Sequence, residues 1–268
     1  MTASGTHSPY DDLDLTLAEA GGGRPVLLLH GGGGPATVAG LAHHLARTGH
    51  VLAPVHPGWN GTPRPARISG VTDLADAYLR LLADRRLRDV LVVGSSLGGW
   101  IAAEMALRDT AGALTGLVLI DGVGVHVEGE PVLGVDGLDP REFAARAWHD
   151  PSRALFDPTT TSAEQRAAQQ ANMATLRAVA PVMHDPRLLP RLREVRVPAL
   201  VVWGESDRVA TPAYGRAYAA GFADAEFAAV PEAGHLPQVE QPDAVHALID
   251  AYARRTATAA RAGRAGTA

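Results

Sequence analysis

The stretch "DVLVVGSSLGGW", residues 89–100, decides the fold because it joins an apolar run directly to a helical pattern through a tight turn. A buried strand, then Gly-x-Ser-x-Gly, then a helix is the sequence form of a nucleophile elbow. Side chains two positions before and two after the apex of such a turn would collide with the backbone. Glycines occupy both positions only if Ser96 is the apex, since an apex at Ser95 would place a valine and a leucine there. The spacing therefore predicts Ser96 as the candidate nucleophile.

Short apolar runs alternate with amphipathic runs on both sides of this turn. Six apolar runs end in glycine or a polar turn and have the pattern of buried strands: "RPVLLLHG", "HVLAPVHPG", "DVLVVGSS", "LTGLVLIDG", "PALVVWGES" and "AEFAAVPEAG". Alternation of this kind predicts an α/β fold with a mostly parallel, twisted sheet and helices on both faces. The earlier segment "DDLDLTLAEAGGG" predicts an antiparallel edge strand.

The alternation stops between residues 121 and 198, where we find no convincing strand pattern. Two helical patterns occur there instead. "DPREFAARAW" begins with Asp139 as a capping residue, and "SAEQRAAQQANMATLRAVA" has Ser162 and Gln165 placed to form a capping box. These signals predict a helical lid inserted over the sheet; the alternative is two extra helices packed on its side.

The domain organisation follows from this break. We expect an α/β core formed by residues 13–124 and 191–255, with the lid at residues 125–190. Residues 1–12 are expected to form a flexible arm. Residues 256–268, "TATAARAGRAGTA", have the composition of a disordered tail.

Composition excludes several classes of function. The chain of 268 residues has no cysteine and no lysine, which excludes thiolate catalysis, lysine Schiff bases and a Walker A loop. A net charge of -5 gives no sign of a nucleic-acid surface. No apolar run approaches the ~18 residues of a membrane span, and the N-terminus lacks a signal-peptide pattern. We expect a cytoplasmic protein with no metal and no cofactor; the oligomeric state stays open.

A serine hydroxyl needs a base and an orienting carboxylate before it becomes a nucleophile. His235 follows a glycine just past the last predicted strand, which makes it the candidate base. Asp207 lies in the loop after the preceding strand and is the preferred acid. Asp121, at the end of "LVLID", is the rival acid. The chain order Ser96, Asp207, His235 is typical of one fold and differs from the orders found in two unrelated serine-protease folds.

Four consecutive glycines, Gly31 to Gly34, follow a strand and precede a helix. Such a segment lets backbone N–H groups turn toward an oxyanion. The expected donors are the N–H groups of Gly32 and Leu97. The same glycines fit the dinucleotide pattern G-x-G-x-x-A, but that pattern needs an acidic residue about 20 positions later. Neither Asp nor Glu occurs between residues 31 and 72, which argues against nicotinamide binding.

With these residues in place, the chain resembles the α/β-hydrolase superfamily. The resemblance rests on His30-Gly31-Gly32, Gly94-x-Ser96-x-Gly98-Gly99, Gly204-x-x-Asp207 and Gly234-His235, which span most of residues 25–252. The lid matches the position of the insertion in that superfamily. The loop "HPGWNG" departs from the form D-x-x-G-x-G-x-S that relatives often have. "GHLPQVEQP" is similar to the base loop of lid-bearing esterases and of hydrolases that split C–C bonds beside a carbonyl.

The resemblance implies a hydrolase acting on a small molecule, and three hypotheses follow. The first is a serine esterase or lactonase for a small to medium apolar substrate. The second is a C–C bond hydrolase for a β-diketone or vinylogous diketone. The third is a non-hydrolytic binding or biosynthetic protein on the same fold. Met173 and Leu176 on the lid are predicted to contact substrate, and Trp59 either lines the pocket mouth or packs beneath the lid.

Overall fold

A seven-stranded sheet forms the centre of the computed structural model, which describes residues 14–134, 140–153 and 161–265. The strands are β1 (Leu17–Gly21), β2 (Arg24–Leu29), β3 (Gly49–Pro54), β4 (Val90–Ser95), β5 (Leu114–Ile120), β6 (Gly124–Val125), β7 (His184–Asp185), β8 (Ala199–Gly204) and β9 (Ala225–Val230). The sheet order is β1-β3-β2-β4-β5-β8-β9, and β6 pairs with β7 separately. Only β1, among the strands of the large sheet, runs antiparallel to its neighbour. This confirms the predicted mostly parallel sheet with an antiparallel edge strand.

Helices follow most of the strands. They are α1 (Ala39–Leu45), α2 (Val71–Asp84), α3 (Leu97–Arg108), α4 (Pro140–Ala147), α5 (Ala163–Val179), α6 (Leu188–Arg191), α7 (Pro212–Gly221), α8 (Pro237–Glu240) and α9 (Pro242–Ala265). Within the described ranges, none combines the length and the apolar character that crossing a bilayer requires.

Alternate side chains of the parallel strands build two cores, one on each face of the sheet. Leu27 and Leu29 of β2 belong to one core, together with buried residues of α2, α3 and α7. Leu28, between them, belongs to the other core, which α1 and α9 cover. Because both faces are buried, the strands consist of the continuous apolar runs seen in the sequence.

The pairing of β6 with β7 was not foreseen, because each strand has only two residues. It corrects the expectation of no strand between residues 121 and 198. Strand β6 lies at the beginning of the segment predicted as a lid, and β7 lies near its end. Their pairing places the point where the chain leaves the core next to the point where it returns. Helices α4 and α5 lie in that segment. The predicted capping box of α5 is present, with the Ser162 hydroxyl accepting from the Gln165 N–H; Asp139 lies outside the described residues.

The C-terminal helix is longer than the sequence pattern indicated. Disorder was predicted from residue 256, whereas α9 continues to Ala265. The segment is rich in alanine and arginine, which have high helix propensity and extend a helix already anchored in the core. The Thr256 hydroxyl is buried and accepts a hydrogen bond of 2.8 Å from Arg24. The predicted N-terminal arm and residues 266–268 lie outside the described residues.

Candidate active site

Ser96 forms a sharp turn between β4 and α3. Its φ of 53° and ψ of -115° are strained for a residue with a side chain, and its N–H donates to the Ile120 carbonyl at 2.9 Å. A Cβ atom on Gly94 would lie 2.1 Å from the Gly98 carbonyl oxygen, and one on Gly98 would lie 2.2 Å from the Leu29 oxygen. The two glycines therefore permit the turn, as their spacing predicted.

Three side chains meet at the carboxyl edge of the sheet, where the ends of parallel strands lie side by side. His235 Nε2 lies 3.0 Å from the Ser96 hydroxyl, and His235 Nδ1 lies 2.8 Å from the Asp207 carboxylate. With the ring proton on Nδ1, the imidazole donates to Asp207 and leaves Nε2 free to accept from Ser96. The geometry is that of a nucleophile, a base and an acid linked by two hydrogen bonds.

Asp207 is held by backbone amides as well as by His235. The N–H groups of Val209 and Ala210 donate to its Oδ1 at 2.7 and 3.2 Å, while Oδ2 faces the imidazole. Asp207 is 2% exposed and His235 6% exposed, so little solvent screens the pair. A carboxylate fixed on both oxygens can hold the imidazole ring in one orientation.

The loop that carries His235 is fastened to the segment after α4. The His235 N–H donates to the Ala147 carbonyl at 2.6 Å. The buried Glu240 carboxylate accepts the N–H groups of Gly234 at 2.7 Å, of His149 at 3.2 Å and of Asp150 at 3.0 Å. The sequence analysis missed Glu240; its place five residues after the base, in a buried helical turn, was the available signal. These bonds hold the base loop against the end of α4 and the residues that follow it.

Asp121, the rival acid, lies at the end of β5 and is fully buried. Its Oδ1 accepts the Gly204 N–H at 3.0 Å, and no hydrogen bond joins it to His235. The side chain that faces the imidazole is therefore Asp207. Oxygens of the two carboxylates and a nitrogen of His235 lie within 4.8 Å of one another. Because His235 already pairs with Asp207 on one side and with Ser96 on the other, the arrangement suits proton transfer rather than metal coordination.

The predicted oxyanion loop passes directly over the nucleophile. A Cβ atom on Gly31 would lie 3.0 Å from the Ser96 Cβ, which shows how closely the backbone approaches. Leu97 is the first residue of α3, where backbone N–H groups have no acceptor within the helix. Gly32 and Leu97 thus lie on two backbone segments that flank the Ser96 side chain. Their role as oxyanion donors stays a prediction.

Two buried histidines support this loop from below. His30 Nδ1 donates to the Gly31 carbonyl at 2.7 Å, and its Nε2 accepts the His56 N–H at 3.0 Å. His56 Nε2 donates to the His30 carbonyl at 2.9 Å, while its Nδ1 accepts from the Tyr78 hydroxyl at 2.5 Å. Burial lowers the pKa of His30 to about 4 and the pKa of His56 well below its usual range. Both rings are neutral at neutral pH, and each tautomer is fixed by its partners.

Trp59 is packed against the oxyanion loop. It is fully buried, and its indole N–H donates to the Gly32 carbonyl at 2.9 Å. Its burial agrees with the alternative that Trp59 packs beneath the predicted lid, and contact of Trp59 with substrate stays a prediction. A buried indole N–H requires an acceptor, and here the acceptor belongs to the oxyanion loop.

Replacing Trp59 by Phe is expected to lower the free energy of unfolding by about 1–3 kcal/mol, because the Gly32 carbonyl loses its donor in a buried place. Urea denaturation of both proteins measures this difference. Phe keeps one aromatic ring but leaves a gap where the rest of the indole lay, so the change reports the lost hydrogen bond together with some lost packing. Equal denaturation midpoints and equal slopes would show that the bond contributes nothing.

Helix α5 lies across the oxyanion loop. The Leu176 Cδ2 and Met173 Cε atoms lie 2.8 and 3.5 Å from the position of a Cβ on Gly32. The Asn172 side chain accepts the Asn60 N–H at 2.8 Å, which fastens the helix to the loop after β3. Both predicted lid contacts, Met173 and Leu176, are thus beside the loop, and contact with substrate stays a prediction.

Ser95, the other serine of the opening stretch, is fully buried. The Gln238 amide donates at 3.1 Å both to its hydroxyl and to the Thr37 carbonyl. Ser95 therefore joins the elbow to Gln238, three residues after the base. Sequence reasoning excluded Ser95 as the apex of the turn and missed Gln238.

Comparison with known proteins adds a family and several relatives. The model of the alpha/beta hydrolase family matches residues 26–248. The chain is 27% identical over 266 residues to 2-hydroxy-6-oxo-6-(2'-aminophenyl)hexa-2,4-dienoic acid hydrolase of Metapseudomonas resinovorans, covering 91% of this chain and 89% of that protein. It is 25% identical over 265 residues to the pimeloyl-acyl-carrier-protein methyl ester esterase of Nitrosospira multiformis, covering 90% and 99%.

A further relative is longer than this chain. The dihydrolipoyllysine-residue acetyltransferase component of the acetoin cleaving system of Pseudomonas putida is 25% identical over 244 residues. That match covers 87% of this chain and 64% of the relative, so the chain spans less than two thirds of its length.

Proposed function

The chain belongs to the alpha/beta hydrolase family and is an enzyme of the hydrolase class, and on this premise we propose that it cleaves carboxylic esters or lactones through an acyl-enzyme. The single observation that carries the proposal is the hydrogen-bonded chain from Asp207 through His235 to Ser96. The substrate we infer is a small to medium apolar molecule. An apolar substrate suits the Met173 and Leu176 side chains that cover the oxyanion loop.

In the first half of the reaction, the Ser96 hydroxyl oxygen attacks the ester carbonyl carbon while its proton passes to His235 Nε2. The N–H groups of Gly32 and Leu97 bind the oxyanion of the tetrahedral intermediate. Loss of one such donor typically costs ~10²–10³ in turnover. Asp207 stabilises the imidazolium that forms. When the intermediate collapses, the C–O bond to the alcohol breaks and His235 returns the proton to the leaving oxygen.

The second half repeats the same chemistry with water. A water molecule gives a proton to His235 and attacks the acyl carbon, and the bond to Ser96 then breaks. The proton returns to the serine oxygen, and the carboxylic acid leaves. Each half of the reaction uses His235 once as a base and once as an acid, which its fixed tautomer permits.

The alternative is cleavage of a C–C bond beside a carbonyl. The Metapseudomonas relative is named as the hydrolase of a 2-hydroxy-6-oxo dienoic acid, a molecule that carries such a carbonyl. Such cleavage would use the same three side chains. The apolar cover over Gly32 favours an uncharged ester group over the carboxylate of a dienoic acid. A non-hydrolytic binding protein is not favoured, since binding alone does not require a paired serine, histidine and aspartate.

A substrate screen tests this proposal. We expect p-nitrophenyl acetate and butyrate to be hydrolysed with a higher kcat/KM than a vinylogous diketone, and the activity to disappear in Ser96→Ala. The Ser96→Ala variant is the control for hydrolysis elsewhere on the protein. A diketone that is cleaved faster than every ester and lactone would replace the proposal by the C–C hydrolase alternative.

A further inference from the structure

The burial, backbone conformation and hydrogen bonding of Asp121 remain unexplained once Asp207 is identified as the acid that faces His235. The side chain is fully buried, and its residue has a φ of 43°, in the left-handed region. Its Oδ1 accepts the Gly204 N–H, but its Oδ2 is buried without a hydrogen-bond donor. A buried carboxylate oxygen without a donor is costly, so Oδ2 is better placed to carry a proton than a charge.

The groups around Asp121 indicate which acceptor a proton on Oδ2 would face. An Asp207 oxygen and a His235 nitrogen lie within 4.8 Å of an Asp121 oxygen. Asp207 already accepts two backbone amides on one oxygen and faces the imidazole with the other. When two carboxylates lie this close, the charge of one disfavours ionisation of the other.

Burial and the neighbouring charges also favour the protonated form of Asp121. Burial first, and then the negative charge of Asp207, raise the pKa of Asp121 well above its ordinary value; the charge of Glu240 adds to this. The amide of Gly204 opposes the shift. The facing titratable groups are thus Asp207, His235 and Glu240. These effects favour the neutral form of Asp121.

We propose that Asp121 is a positioning residue of the hydrolase site: it is a neutral acid whose Oδ2–H donates a hydrogen bond to the Asp207 carboxylate. The proposal rests on the proposed function, since it concerns the same acid–base pair. The bond moderates the charge that Asp207 presents to the imidazole and fixes the direction of its carboxylate. Asp121 touches neither substrate nor the reacting atoms.

Two variants separate this role from packing. Asp121→Asn keeps an acceptor for the Gly204 N–H and a donor toward Asp207, so it mimics the neutral acid and is expected to retain the wild-type pH profile. Asp121→Gly tolerates the positive φ and removes the donor. Without the donor, Asp207 holds the protonated imidazole more strongly. We expect the acid limb of kcat/KM to move up by about half a pH unit or more.

A second pair of variants keeps the inference testable if Asp121→Gly does not fold. In Asp207→Ala, Asp121 loses the neighbouring negative charge, so ionisation of Asp121 beside His235 becomes easier although burial still opposes it. The readout is the rate of Ser96 labelling by a fluorophosphonate, which needs no knowledge of the substrate. We expect Asp207→Ala to react about tenfold or more faster than Asp121→Asn/Asp207→Ala, because only the single variant retains a carboxylate near the imidazole.

The outcomes are distinct from a failure of the proposed function. If wild type is labelled at Ser96 but both comparisons fail, the esterase proposal stands and the role of Asp121 is wrong. The first comparison fails if Asp121→Gly and Asp121→Asn share one pH profile, and the second fails if the two Asp207 variants react at equal rates. A shifted profile in Asp121→Gly alone, or the faster labelling of Asp207→Ala, supports the shared proton.

Discussion

Replacing Ser96 by Ala is expected to lower p-nitrophenyl ester hydrolysis by about 10⁴-fold or more, because the nucleophile that forms the acyl-enzyme is removed. Alanine tolerates the same turn with less bulk than serine, so folding should be retained. The thermal unfolding midpoint, measured beside the rate, verifies this. The loss should therefore be in kcat, with the protein intact.

The neighbouring serine supplies the matched control. Ser95→Ala removes the hydroxyl that Gln238 contacts but leaves the Ser96–His235 hydrogen bond in place. We expect a modest loss of stability and activity within about tenfold of wild type, as for one uncharged buried hydrogen bond. Equal losses in the two variants would contradict the choice of Ser96, and so would an active Ser96→Ala protein.

Replacing His235 by Ala is expected to lower the same activity by about 10⁴-fold, since the serine loses its base and the leaving alcohol its proton donor. Steady-state hydrolysis at several pH values measures this. The variant should also lose the acid limb of the pH–rate profile, because that limb reports protonation of the imidazole.

His126 provides a histidine control for that experiment. Its side chain is about half exposed, at 51%, and lies near Glu128 at the beginning of the inserted segment. His126→Ala should leave kcat/KM within about twofold, as is usual for a surface position. A His235→Ala protein as active as His126→Ala would show that the observed Ser96–His235 contact has no catalytic role.

Most of the fold could be predicted because the signals are local. Apolar runs ending in glycine predicted the parallel strands, and the two glycines around Ser96 identified the apex of the elbow. The loop positions of Asp207 and His235 followed from strand order, since parallel strands end at one edge of the sheet. Side-chain contacts between those loops were then short enough to form.

The connections between loops could not be predicted in this way. Glu240, Gln238 and Trp59 each bond to backbone or side chains more than five residues away, through contacts that exist only after the chain has folded. The two-residue strands β6 and β7 are too short for any periodicity. The helix beyond residue 256 was missed because a composition typical of tails also has high helix propensity.

Mapping of the covalent adduct tests the central claim most directly. Wild-type protein treated with a fluorophosphonate is digested, and the modified residue is identified by mass spectrometry. An activated serine at the elbow predicts one major adduct, on Ser96, that forms rapidly and is absent in Ser96→Ala and slow in His235→Ala. An unlabelled protein would contradict this account, as would an adduct on Ser95 or labelling that is unchanged in His235→Ala.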